Sequence, residues 1–314
     1  MSLYKGHQVR FADLPRALAC LPQSELGAAE DVTLDLWRMW YARGALQLAW
    51  VESLEPDRDS EIQCLGVTLW ITDHAVAALA QPGNSPAACR VYAAEMANPS
   101  GPSWAMAAAE IAAAHAEQRL NLLVLHFWTL RPPFEPEFQA VFVQSHAKFR
   151  DLHQGYGVQR LLQEVSLHEA EILLAAGLKI LRADMPDAAM PRVLLGLERD
   201  DAQAVPGSTL SFLFLSPRSR LDLRPSVQRM LGLALQQLTD DDIAKALACS
   251  RDYVRKLWDD AYDKLDLAGV SKMANAASPD ATAAPRGRER RRQALEFLRS
   301  NPQELRPGLA DQGT

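Results

Sequence analysis

The segment Asn121 to Leu130, NLLVLHFWTL, can occupy few places in a folded chain. It is too short to cross a bilayer as a helix and apolar on both alternating faces, so it reads as a central strand covered on both sides. Pro132 and Pro133 end it, since neither can donate to a ladder. Upstream, Ala45 to Leu54 and Glu61 to Thr72 read as an antiparallel hairpin across the charged turn Glu55 to Asp59. Downstream, Leu178 to Arg182, Arg192 to Leu197 and Thr209 to Leu215 read as short strands that close the sheet. Helices are predicted over Phe11 to Leu21, Glu25 to Arg43, Asp73 to Gln81, Ala87 to Ala97, Ser103 to Gln118 and Glu135 to His153. Two more follow, one beginning at Val158 and one capped by Ser166 and closed by Gly177. Residues 1–217 are therefore expected to form an α+β domain, a mixed sheet with helices.

Within it, Leu34, Trp37, Trp40 and Tyr41 share one face of a predicted helix. Packing on the sheet is the ordinary role of such a cluster, and hydrogen-bonded packing that of a lone His126 on a buried strand. Trp37, Trp40, Tyr41 and His126 are the candidate wall of a pocket for a small-molecule effector. No Ser/His/Asp or Cys/His set emerges, and Cys20, Cys64, Cys89 and Cys249 are scattered without metal-ligand spacing. The expectation is no catalytic residue, no metal and no cofactor, hence no enzyme. No apolar run reaches membrane-spanning length and no leader-like segment opens the chain, which reads as cytoplasmic with no membrane partner.

Leu223 to Leu267 carries a different signal. Pro225 suits a first helical turn, and Val227, Met230, Leu231 and Ala234 follow at helical spacing. Thr239 with Asp242 is a variant capping box opening a short helix that bears Ile243, Ala244 and Leu247. Ser250 caps a third, with Val254, Leu257, Ala261 and Leu265 on one stripe. Helix, tight turn and helix, braced by another, is a helix-turn-helix layout.

With Leu223, Pro225, Leu231, Thr239, Ile243, Ala244, Leu247, Ser250, Val254, Lys264 and Leu265 in register, this stretch resembles the DNA-binding domain of LuxR/FixJ-type bacterial regulators. The resemblance implies an all-α helix-turn-helix domain over 218–277 whose third helix enters the major groove. It places Arg255, Lys256 and Asp259 at base edges and Arg251 and Tyr253 near phosphates. The expected function is a DNA-binding transcriptional regulator, with double-stranded DNA and a second copy of the chain as partners. Residues 278–314 read as a flexible basic tail with a short helix, in which Arg288 to Arg292 could add phosphate contacts. The acidic balance, net charge -6, confines any such contact to a local surface.

A second reading rests on Gln154-Gly155-Tyr156-Gly157 ahead of the predicted helix at Val158. It is similar to the phosphate-cradling Gly-x-Gly turn of GNAT-type acetyltransferases, although Leu152 stands where those enzymes carry a basic residue or Gln. The alternative is an acyl-CoA-binding acyltransferase-like enzyme with a helical appendage.

Overall fold

The structure, a computed structural model, describes residues 3–54, 61–97, 102–132, 135–183, 191–204, 210–267 and 287–307. The turn Glu55 to Asp59, Pro133 and the last part of the domain expected over 218–277, from residue 268 on, lie outside them. The chain divides into two units, Met1–Leu215 and Ser216–Thr314.

The first unit is a mixed α/β fold around a seven-stranded sheet. In chain order it runs β1 (Tyr4–Gln8), α1 (Leu14–Leu18), α2 (Gln23–Leu26), α3 (Glu30–Ala42), β2 (Leu46–Ser53) and β3 (Ile62–Ile71). Next come α4 (Asp73–Ala80), α5 (Ala87–Ala97), α6 (Ala108–Ala116), β4 (Leu120–Thr129), α7 (Gln139–His153) and β5 (Val158–Ser166). The unit closes with α8 (Leu167–Ala175), β6 (Lys179–Ala183), β7 (Arg192–Glu198) and α9 (Arg199–Ala204). The strand order is β1-β2-β3-β4-β5-β7-β6. All neighbours are antiparallel except β4 and β5, which are parallel at the centre.

The predicted central strand is thus β4. Four expected elements differ. The helix expected over Glu25 to Arg43 is broken after Leu26 by the left-handed Gly27 and restarts at Glu30. Val158 starts a strand, not a helix. Of the strand expected over Thr209 to Leu215, the described residues 210–215 hold a 3-10 turn, Ser211–Phe214, which buries Leu213 and Phe214 without joining the sheet. Ser103 does not cap a helix; its hydroxyl donates to the Glu95 carboxylate at 2.8 Å, and α6 starts at Ala108.

Register sorts the two faces of the sheet, because paired residues point the same way. Thr68 Oγ1 lies 2.8 Å from His153 Nε2, and Cys64 Sγ donates to Ser145 Oγ at 3.5 Å, so this face of β3 lies under α7. Burial pushes the Cys64 thiol up to about 12, leaving it inert. Val67 is on the opposite face and pairs with His126 of β4. That second face carries the candidate site.

The second unit packs α10 (Pro225–Leu235), α11 (Asp240–Ala246), α12 (Arg251–Leu267) and α13 (Gly287–Ser300), followed by a 3-10 turn at Pro302–Leu305. Its core joins Met230, Leu231, Ile243, Val254, Leu257 and Ala261 to Ala294, Leu298 and Leu305. Residues 287–305 are therefore part of the unit, which corrects the expectation of a mobile basic tail. Apolar Ala294 and Leu298 recur at helical spacing, and burying that stripe holds α13 down.

One buried carboxylate ties the two ends of this unit together. Glu304, fully buried, accepts from Ser219 Oγ at 2.7 Å, Arg220 N at 3.0 Å and Leu221 N at 2.9 Å. Removing it leaves three donors without their partner, so Glu304→Ala should cost about 3 kcal/mol. Hydrogen exchange in 219–235 checks this: faster exchange is expected in Glu304→Ala, and unchanged exchange would refute the clamp.

Candidate active site

The two parallel strands at the centre of the sheet part company. Pairing between β4 and β5 runs from Leu120 with Val158 to Val124 with Gln163 and stops there. Beyond that point β4 follows β3, reaching Thr129 opposite Cys64, while β5 follows β7, reaching Ser166 opposite Arg192. A bulge marks the fork. Val67 faces His126 and Thr68 faces Val124, which leaves Leu125 unmatched. Bulges bend a strand, raise its twist and re-aim the side chains that follow. The facing edges of β4 past Val124 and β5 past Gln163 thus have no ladder partner in the sheet, and they frame a notch.

His126 is the first side chain after the bulge and is buried. Its Nε2 lies 2.8 Å from Tyr92 Oη, which in turn accepts a hydrogen bond from Trp37 Nε1 at 2.9 Å. With that lone pair used, the Tyr92 hydroxyl is free to donate to Nε2, which puts the ring proton on Nδ1. Nδ1 points toward Glu25 Oε2, 3.7 Å away, beyond hydrogen-bond reach but close enough for attraction. The order Trp37, Tyr92, His126, Glu25 therefore runs from the interior outward, to a carboxylate whose side chain is 38% exposed.

The chain divides charge between its members. Burial, opposed by Glu25, lowers the His126 pKa, so the ring is neutral near neutral pH. His126, ahead of the opposing effect of burial, lowers that of Glu25, which is anionic. Burial raises that of Tyr92. A His whose folded-state pKa falls below 6.5 is held neutral in the native state but charges in the unfolded chain, so stability is lost as pH falls through that window. Urea midpoints measured on either side of 6.5 should drop on the acid side for the native chain. The drop should shrink in His126→Gln; an equal drop in both would contradict a neutral buried ring.

Local sequence explains how Glu25 gets there. Gly27, at φ +62°, ends α2 in the left-handed region that favours glycine. A Cβ at that position would stand 2.7 Å from Cys89 Sγ, so only glycine lets the end of α2 press on α5. Across the notch, Glu164 of β5 accepts from Ala87 N at 2.7 Å, at the start of α5, and pairs with Arg182 of β6. Arg192 Nε of β7 lies 3.4 Å from the same carboxylate. Two guanidinium groups thus share one carboxylate, and a positive charge is left over on the more exposed of them, Arg192.

Of the four pocket residues read from sequence, the structure brings three together. Trp37 lies 6.3 Å from His126 between ring centroids, and Trp40 stacks on Tyr92 at 5.7 Å. Tyr41 is elsewhere: its hydroxyl donates to Val9 O at 3.1 Å and its ring meets Phe11 edge-on. Sequence reading missed Glu25, Tyr92, Glu164, Arg182 and Arg192. The sequence-level signal was weak, since each looked like an ordinary helix or strand residue.

Gly155 and Gly157 do not form a phosphate cradle. They join α7 to a strand, so no helix N-terminus follows them. Gly157 N donates to His115 Nδ1 at 2.9 Å, and a Cβ there would sit 2.4 Å from His115 O. This glycine serves a close approach of two backbones.

Arg251, Tyr253, Arg255, Lys256 and Asp259 are exposed on α12. Arg251 lies 3.5 Å from Asp241 and Arg255 3.5 Å from Asp252. Two arginines of the expected phosphate arm turn inward instead, Arg290 over the Tyr262 ring at 4.4 Å and Arg291 over Trp258 at 4.5 Å. Arg290 also pairs with Asp266, and Arg291 with Asp240. Among the described residues there is no cluster fit to hold a metal ion, and no helix is long and apolar enough to cross a membrane.

No protein-family model matches the chain, and no curated protein does. Solved structures do. FdhC, described as a nucleotide-linked sugar GNAT, is similar at 8% identity over 68% of this chain and 96% of that one, with a TM-score of 0.36. FeeM, an N-acyl amino acid synthase from uncultured soil microbes, is 11% identical over 68% of this chain and 98% of that one, TM-score 0.36. Spermidine N-acetyltransferase from Vibrio cholerae, in complex with CoA and spermine, is 8% identical over 64% and 98%, TM-score 0.35.

These findings correct the expectations drawn from Leu223 to Leu267. Spermidine and agmatine N-acetyltransferases and an N-acyl amino acid synthase are among the structures matched. The expectations of a chain with no enzymatic activity, of a DNA-binding regulator, and of duplex DNA and a homodimeric mate as partners are withdrawn. A three-helix stripe pattern reports packing and carries no information about what the outer faces touch.

Proposed function

We propose that the first unit is an acyltransferase that takes its acyl group from a thioester of the acyl-CoA kind. The observation that supports this is the fork between β4 and β5 at the Leu125 bulge. The arm that carries such a thioester is a thin chain with two amides. Its natural receptor is a strand edge with unmet N–H and C=O groups, and the notch offers two. A thioester seated there has its carbonyl beside His126 and Glu25, at the mouth of the buried chain.

In this reading an acceptor nucleophile attacks the carbonyl carbon, the C–S bond breaks and the thiol leaves. Glu25, anionic and part-exposed, receives the proton that the nucleophile gives up. His126 is a positioning residue: its ring attracts the carboxylate across 3.7 Å, and Tyr92 and Trp37 fix the ring. No glycine stands between Leu130 and Gln139, the turn from β4 toward α7, so recognition rests on the arm of the donor more than on its phosphates.

Incubating the full chain with acetyl-CoA and a pool of primary amines tests the proposal. Protein-dependent release of thiol with an equal amount of N-acetyl product is expected. Thioester loss at the blank rate, with no N-acyl product, would overturn it.

A further inference from the structure

The notch is flanked by two opposite charges that attract each other without forming an ion pair. On the α2 side stands the Glu25 carboxylate, held against His126. On the β7 side stands Arg192, whose Nε is within 3.4 Å of Glu164 but has no hydrogen-bond partner. Glu164 is already engaged by Arg182 and by the backbone N–H of Ala87. Among the described residues no ion pair joins Glu25 to Arg192.

The elements between them are continuous. Arg192 touches Glu164, Glu164 holds the first residue of α5, and Cys89 two residues on donates its thiol to Glu25 O at 3.9 Å. Both charges are part-exposed, Glu25 at 38% and Arg192 at 29% of the side chain. A part-exposed cation that shares its carboxylate with Arg182, and a part-exposed anion that faces a neutral His126, suit a ligand that carries both charges in reverse.

Resting on the acyltransferase reading, we infer that the acceptor is an α-amino acid, with its carboxylate on Arg192 and its amino group on Glu25. The amino group, once it has given a proton to Glu25, attacks the thioester carbonyl. The C–N bond forms as the C–S bond breaks, a second proton from nitrogen goes to the departing thiolate, and the products are an N-acyl amino acid and the free thiol. A plain amine would meet only Glu25, and a plain carboxylate only Arg192.

The experiment compares three probes of one shape on the full chain: L-phenylalanine, phenethylamine and 3-phenylpropionate. Calorimetric titration reads binding, and mass spectrometry of mixtures with acetyl-CoA reads N-acetyl product. Phenylalanine is expected to bind at least about tenfold more tightly than either analogue, and Arg192→Gln to erase that margin. Arg192→Lys, which keeps the charge, should restore part of it. Equal binding of phenethylamine and phenylalanine, or a margin that survives Arg192→Gln, would overturn the inference. The two readings fail differently. Acetylation of phenethylamine without any preference for phenylalanine sinks the amino acid and leaves the transferase, whereas no acetylation of any amine sinks both.

Discussion

Glu25→Gln is expected to lower kcat/KM for acyl transfer about a hundredfold while leaving the fold as it is. The carboxylate is the outermost member of the Trp37–Tyr92–His126 chain and the one placed to take a proton. Glutamine keeps its size but cannot accept a proton, so binding of the thioester donor should survive and the chemical step should not. At 38% side-chain exposure Glu25 contributes little to stability, and an unchanged melting curve is part of the prediction. His126→Gln gives the complementary readout. A residue that only positions Glu25 should shift the pH profile of kcat rather than abolish the reaction. If Glu25→Gln turned over at the native rate, the assignment of the proton acceptor would be wrong.

The largest effect on stability is expected at Glu164. Its side chain is 4% exposed and pairs with Arg182, which is 2% exposed and donates through Nη1 to Leu79 O at 2.7 Å. Breaking a buried pair from one side leaves an uncompensated charge, which typically costs about 3–5 kcal/mol. Glu164→Ala leaves two guanidinium groups, Arg182 and Arg192, with no carboxylate between them and strips the Ala87 N–H of its acceptor. The first unit should then melt roughly ten degrees lower, at about 2–4 °C per kcal/mol for a domain of this size. Differential scanning calorimetry of the full chain checks it. Replacing both partners together by apolar residues should recover much of the loss, because the stranded charge is what destabilises. A Glu164→Ala chain that melts with the native one would show that the pair is open to water.

Much of the sheet was legible. The hairpin β2–β3 and the strand β4 stand out because their apolar residues fill both faces over eight to ten positions. β5 was misread for a physical reason. Val158, Leu161, Leu162 and Val165 recur with the three-and-four spacing of a helix, yet Leu161 and Leu162 are buried on opposite faces of a strand between two others. β1, Tyr-Lys-Gly-His-Gln, has no apolar alternation and owes its conformation to pairing with β2 at the sheet edge. The site was legible only in its aromatic part. Trp37, Trp40 and His126 announce themselves as large or unusual groups in apolar settings. Glu25, Tyr92, Glu164, Arg182 and Arg192 come from α2, α5, β5, β6 and β7, and only the β5-β7-β6 order and the Gly27 turn bring them to one place. The fork itself depends on a single unmatched residue, Leu125, which no periodicity reveals.

Everything proposed here depends on whether the notch is a receptor for a thioester arm. Hydrogen exchange of the full chain, with and without saturating acetyl-CoA, measures this where it matters. Slower exchange in 125–129 of β4 and 163–166 of β5 is predicted, with little change in the second unit. Binding that leaves those amides exchanging as before, or protection confined to residues far from the fork, would contradict it.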